Sequence, residues 1–166
     1  MPGALRGSLR WWLVAAVVLL DQATKVLVQS YVPLFDSVPV IPGLLDLVHI
    51  HNAGIAFGMM NDMAHPLRSA FTTGLAFAAL GAIVYYARQV RPDERLTLIG
   101  LSMVLGGAIG NLIDRARLGH VVDFIDVYSG DWHFWAFNVA DAAISCGAAL
   151  IFVELFWSGR HASHSV

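Results

Sequence analysis

Asp123 and Asp141 are the residues of this sequence best suited to do chemistry. Asp123 stands in Val122-Asp123-Phe124, and Asp141 closes Phe137-Asn138-Val139-Ala140-Asp141, both inside or beside strongly apolar segments. A charge at the centre of a bilayer costs about 2.5–3.5 kcal/mol on insertion scales. A chain that keeps several polar groups in one such region is expected to use them. Two carboxylates sharing a site cannot both ionise cheaply, so one keeps a proton near neutral pH. The charged carboxylate then takes a proton from water while the protonated one donates to a carbonyl oxygen. That is general acid–base hydrolysis of a peptide bond with no covalent intermediate. Such a pair titrates as a unit. Asp141 has a second reading, as the third residue of a helix capped by Asn138, where an acid is favoured anyway. Asp126, three residues after Asp123, is a rival loop acid that the local sequence does not exclude.

Amides and an arginine lie near by in sequence. Asn111 and Arg115 are four apart and share one helical face; Asn138 and Asp141 are three apart and share another. The amides could hold the carboxylates or a substrate backbone, and Arg115 either joins them or anchors a helix end at the membrane interface. Asp114 reads as structural or solvent-facing. Asp21 and Lys25 are four apart with the acid first, the favourable order for a helical ion pair, and read as a structural brace. His49 and His51 would share one face of a strand, and His120 and His133 also fall in outer loops. Two histidines without a third convergent ligand do not make a metal site, so no metal is expected.

The elements that must position these groups are membrane helices. The chain has 166 residues, 57% hydrophobic and 13% charged, with a mean hydropathy of +0.65. A soluble domain of this size needs more charge to cover its surface. Several apolar runs approach the roughly 20 residues that cross a bilayer as a helix. The net charge of −2 offers no footprint for nucleic acid. The single cysteine, Cys146, excludes an internal disulfide and a cysteine-rich metal site.

A single membrane domain over residues 1–166 is expected, with spans at about 11–29, 66–87, 96–114 and 136–157. The basic start and apolar core of residues 1–28 would also fit a cleaved targeting segment. No small-residue cleavage site follows, however, and the apolar run resumes at Val26. Residues 30–65 carry Pro33, Pro39, Pro42 and Gly43, then the β-like run Leu45–His51, and read as a small extramembrane cradle. Residues 115–135 read as a second outer loop, with Trp132 and Trp135 as interfacial aromatics. Gly106-x-x-x-Gly110 offers a small face for a neighbouring helix.

Arginines at Arg6, Arg10, Arg88, Arg91, Arg95 and Arg160 outnumber those on the other side, so both termini are expected in the cytoplasm. With that topology Asp21, Lys25, Asn111, Arg115, Asn138 and Asp141 all fall at one depth, near the outer leaflet surface.

Five blocks, in this order, resemble the lipoprotein signal peptidase (signal peptidase II) family of aspartyl peptidases. They are Asp21-x-x-x-Lys25, Asn52-x-Gly54-x-Ala56-Phe57, Gly110-Asn111-x-x-Asp114-Arg115, Val122-Asp123-Phe124 and Phe137-Asn138-x-Ala140-Asp141. The resemblance implies four transmembrane helices with an extracytoplasmic β-cradle between the first two. It implies that Asp123 and Asp141 are the catalytic dyad. It also implies that Asn52, Gly54, Asn111, Arg115 and Asn138 support the site or contact substrate, with Asp21 and Lys25 structural. The implied substrates are diacylglyceryl-modified prolipoproteins, cut just before the lipidated cysteine. The implied location is the bacterial inner membrane, among membrane lipid, with globomycin-type cyclic peptides as inhibitors. No cofactor is expected, and the enzyme is expected to act as a monomer.

The rival reading is a small proton-coupled transporter or channel using Asp21, Lys25 and Asp141. A relay needs ionisable groups at successive depths, and helices two and four offer none in their inner halves before Glu154. A non-enzymatic assembly factor would not need paired carboxylates.

Overall fold

A computed structural model describes residues 9–53 and 65–162. Gly54, Ala56 and Phe57 lie outside the described residues. Four helices carry the fold: α1 (Trp11–Tyr31), α2 (His65–Ala87), α3 (Arg95–Leu118) and α4 (Val139–Ala162). Each contains a stretch long and apolar enough to cross a membrane. Between them lie four strands: β1 (Ser37–Ile41), β2 (Leu45–Asn52), β3 (Val121–Ser129) and β4 (Trp132–His133).

The bundle is apolar outside and polar at its centre, the pattern expected when lipid is the solvent. Leu19, Phe77 and Phe152 are about two-thirds exposed, whereas Asp21, Ser102 and Asn138 are fully buried. Helix α3 is the hub and packs on each of the other three. Close approach to α1 depends on Gly110: a Cβ there would stand 2.6 Å from Asp21 Oδ2. Two apolar clusters close the ends of the bundle. One joins Leu9, Val14, Ala87, Leu98 and Leu105. The other joins Val28 and Val32 of α1 to Phe124 of β3, with Leu47 and Val139 packed against it. Along α1, the buried Asp21 and Lys25 fall between the two clusters.

The strands form one antiparallel order, β1-β2-β3-β4. The sheet is therefore not confined to the segment between α1 and α2. Half of its strands come from between α3 and α4, where the sequence reads as loop. Helix α3 runs to Leu118, and Gly119, at φ +75°, closes it by donating its N–H to the Arg115 carbonyl at 3.1 Å. The chain then enters β3 through Val121-Val122-Asp123-Phe124, four successive buried residues. Burial on both faces removes the alternation that marks a strand in sequence. Helix α4 begins at Val139 and not near 136, because Phe137 pairs with β3: its N–H donates to the Ile125 carbonyl at 3.0 Å, and its carbonyl accepts from Ile125 at 2.8 Å.

Candidate active site

Asp123 sits on β3 and is buried, 2% exposed. Its neighbours follow from register. Asn52 of β2 lies opposite Val121, so it is diagonal to Asp123 on the same face. Asn52 Nδ2 donates to Asp123 Oδ2 at 2.9 Å. Asn138 Nδ2 donates to Asp123 Oδ1 at 2.7 Å, brought there by the pairing of Phe137 with Ile125. Burial pushes the Asp123 carboxyl up to about 6, and the nearby Asp141 charge acts in the same direction. The two amide hydrogen bonds and the Lys25 charge oppose that rise without cancelling it.

Asp141 sits in the first turn of α4. The capping-box geometry is present: Asp141 N–H donates to Asn138 Oδ1 at 3.0 Å, and Asn138 N–H donates to Asp141 Oδ2 at 3.2 Å. Its other oxygen accepts from Asn111 Nδ2 at 2.8 Å. The cap reading and the reactive reading of Asp141 are thus compatible, since one carboxylate is held by both helices. Asn138 touches both acids and Asn111, whose Oδ1 lies 3.3 Å from its amide nitrogen.

Behind the two acids lies a charged brace. Lys25 Nζ contacts Asp21 Oδ2 at 2.9 Å, Asp114 Oδ2 at 2.8 Å and Asn111 Oδ1 at 3.0 Å, so all three ammonium protons have acceptors. Asp21 Oδ1 accepts the Ala140 N–H at 2.9 Å, which places a carboxylate at the positive end of α4. Asp114 Oδ2 also accepts the Val122 N–H at 3.2 Å. One buried cluster therefore ties together α1, α3, the start of β3 and the start of α4. Removing Asp123 from water and holding it this way leaves a carboxyl able to change protonation near neutral pH, beside a second carboxylate in a fixed orientation.

The structure brings Asp123, Asp141, Asn52, Asn111 and Asn138 together. Arg115 lies within electrostatic reach of Asp141, Asp123 and Asp114, and donates weakly to the Asn111 carbonyl at 3.4 Å. Asp21 and Lys25 form the ion pair their spacing suggests. Gly54 falls outside the described residues. Asp126 points elsewhere: its Oδ2 meets His133 Nδ1 at 2.8 Å on the far strand pair. Asp114 is buried and ion-paired, not solvent-facing.

Gln22 joins this network, and His120 meets the histidine pair of β2. Gln22 Nε2 bridges Asp114 Oδ1 at 2.9 Å and the Gly110 carbonyl at 3.2 Å; its place beside Asp21 was the available signal. His120 stacks on His51 with ring centroids 3.7 Å apart, and His49 meets His51 edge-on at 5.2 Å. Only the fold shows that the turn before β3 reaches β2.

A family model described as Signal peptidase (SPase) II matches residues 13–157. The lipoprotein signal peptidase of Geobacter metallireducens is 42% identical over 149 residues, covering 90% of this chain and 91% of that protein. The lipoprotein signal peptidase of Solibacter usitatus is 42% identical over 160 residues, covering 95% and 98%. A solved structure described as a bacterial membrane enzyme, obtained by the in meso method at 2.3 Å, superposes with a TM-score of 0.78. It shares 30% identity and covers 89% of this chain and 87% of its own. With matches along nearly the whole chain, and with the polar network joining the five sequence blocks wherever they are described, this protein belongs to the signal peptidase II family, the lipoprotein signal peptidases.

Proposed function

We propose that this lipoprotein signal peptidase works as an aspartyl endopeptidase, with Asp123 and Asp141 as the catalytic dyad. The observation that carries the reading is the shared grip of Asn138. Its side chain holds Asp123, and its backbone N–H holds Asp141. The two carboxylates share one proton. The charged member draws a proton from water as the water attacks the scissile carbonyl, while the other donates to the carbonyl oxygen. Collapse of the tetrahedral intermediate then delivers a proton to the leaving amine. The buried amides keep both carboxyls in reacting geometry throughout. Asn52, Asn111 and Asn138 support the dyad, Arg115 and Gly54 serve the site or the substrate, and Asp21 with Lys25 brace the helices.

The substrate is a prolipoprotein already carrying diacylglyceryl on its cysteine, cut just before that residue. The lipid anchor holds the scissile bond near the outer leaflet surface of the bacterial inner membrane, at the level of the polar cluster. Both termini face the cytoplasm. Globomycin-type cyclic peptides inhibit by occupying the same space, and no cofactor takes part. The test is product mass spectrometry on matched precursors with and without the diacylglyceryl group. The expected result is a single cut before the modified cysteine and turnover of the unmodified precursor at least 100-fold slower, about 3 kcal/mol in transition-state binding. Equal rates on both precursors, or a cut elsewhere, would contradict it.

A further inference from the structure

On the flank of the bundle, between α1 and α3, lies a groove with a cavity volume of about 230 Å³, and no residue of α4 lines it. Its floor is Lys25 and Asp114, its polar walls are Gln22, Gln29 and Arg117, and Val26 and Leu118 form apolar lips. The groove stands at the sheet end of the bundle, beside the cluster of Val28, Val32 and Phe124 that binds α1 to β3.

We propose that this groove seats the phosphodiester of a glycerophospholipid from the leaflet on the sheet side. The floor is already satisfied. The Lys25 protons go to Asp21, Asp114 and Asn111, and Asp114 is taken by Lys25, Gln22 and the Val122 N–H. Gln29 Nε2 is spent on the Lys25 carbonyl at 3.0 Å, and the neighbouring Ser30 Oγ on that of Val26. Arg117 is the exception. It is exposed, and among the described residues its guanidinium makes one long contact, 3.4 Å to Gln22 Oε1. A guanidinium offers five N–H donors in a fork that matches two phosphate oxygens. The charged groups lining the groove are Lys25, Arg117 and Asp114, a net of +1.

The surface leading away from the groove selects a lipid over a soluble anion. Leu19, Gln22, Val26 and Gln29 follow one another at spacings of three and four, so they share one stripe of α1. Gln22, Val26 and Gln29 of that stripe line the groove, and Leu19, 69% exposed, continues it as apolar surface one turn below. A phosphate on Arg117 would leave its acyl chain along this stripe. The seat lies on the α1–α3 flank and is separate from the Asp123–Asp141 site.

The test is lipid titration of delipidated protein in a maltoside detergent, followed by native mass spectrometry. The ligands are phosphatidylglycerol, diacylglycerol with the same chains, and glycerol phosphate. Wild type is expected to retain the phospholipid at a concentration at least fivefold lower than diacylglycerol. Arg117→Gln should abolish that preference, and Val26→Trp, which fills the groove mouth, should weaken phospholipid retention in a protein that keeps Arg117. Equal retention of the two lipids by wild type, or an unchanged preference in both variants, would overturn the proposal. Glycerol phosphate binding as tightly as the phospholipid would overturn its lipid part.

Discussion

Asp123 is destabilised as an anion by the same burial that suits it to acid–base work. Its folded value of about 6 stands above its ordinary 3.8. A group raised in this way favours the folded state fully below pH 3.8, and that contribution is lost as pH rises through about 6. The difference of about two pH units corresponds to roughly 3 kcal/mol as an upper figure. Asp123→Asn cannot ionise and keeps one of the two oxygens that accept from Asn52 and Asn138, at the loss of about 1 kcal/mol for the other hydrogen bond. The variant should therefore melt above wild type near pH 8, with the two curves converging below about pH 4. A variant that melts lower than wild type near pH 8 would show that the ionised form is the one the fold prefers. The same residue shows what was legible in the sequence. Asp123 and Asp126 stand three apart, an odd spacing that puts them on opposite faces of a strand. In a segment whose sequence looks like a loop, that parity carries no information. The structure makes the parity visible by pairing Asp126 with His133.

At the level of elements, Lys25 is the knot between α1 and α3. Its ammonium bridges two buried carboxylates and orients Asn111, which in turn holds Asp141. Removing one partner of a buried ionic group strands the others, at a cost of about 3–5 kcal/mol. Lys25→Met should lower the melting temperature sharply, and Asp114→Asn in that background should recover part of the loss by removing one stranded charge. An unchanged melting temperature in Lys25→Met would mean that Asp21 and Asp114 do not depend on the ammonium. The helices themselves were readable from run length and polarity, and the Asp21–Lys25 pair from its spacing. The sheet was only half readable. β2 shows short β-like character, whereas the first half of β3 is buried on both faces and carries no period. The partnership of Asp114 with Lys25 was also hidden, because it depends on a close approach of α1 to α3 that Gly110 permits.

The whole molecule gathers its buried titratable groups at one end. At the other end, among the described residues, charged groups with partners lie at the surface. Arg91 meets Asp93 at 2.9 Å in the open, and Glu154 Oε2 accepts the Leu96 N–H at 2.8 Å near the start of α3. A proton relay would need groups strung between these ends, and α4 carries no titratable side chain from Asp141 to Glu154 apart from the exposed Cys146. The polarity of the molecule is thus that of a site placed at one membrane face. On the topology proposed above from basic residues near the span ends, with the sheet outside, cysteines introduced in the β1–β2 turn should react with an impermeant maleimide in intact cells, and cysteines in the α2–α3 turn should not. The opposite labelling pattern would invert the topology.

The account turns on two carboxyls, from separate elements, acting on one peptide bond. The most direct measurement is single-turnover cleavage of a lipidated precursor by Asp123→Asn and Asp141→Asn, each checked for a cooperative melt, with Asp126→Asn alongside. The expected result is a loss of at least a thousandfold in both dyad variants, about 4 kcal/mol or more in the barrier, with Asp126→Asn close to wild type. Wild-type turnover by a folded Asp123→Asn or Asp141→Asn protein would contradict the central claim.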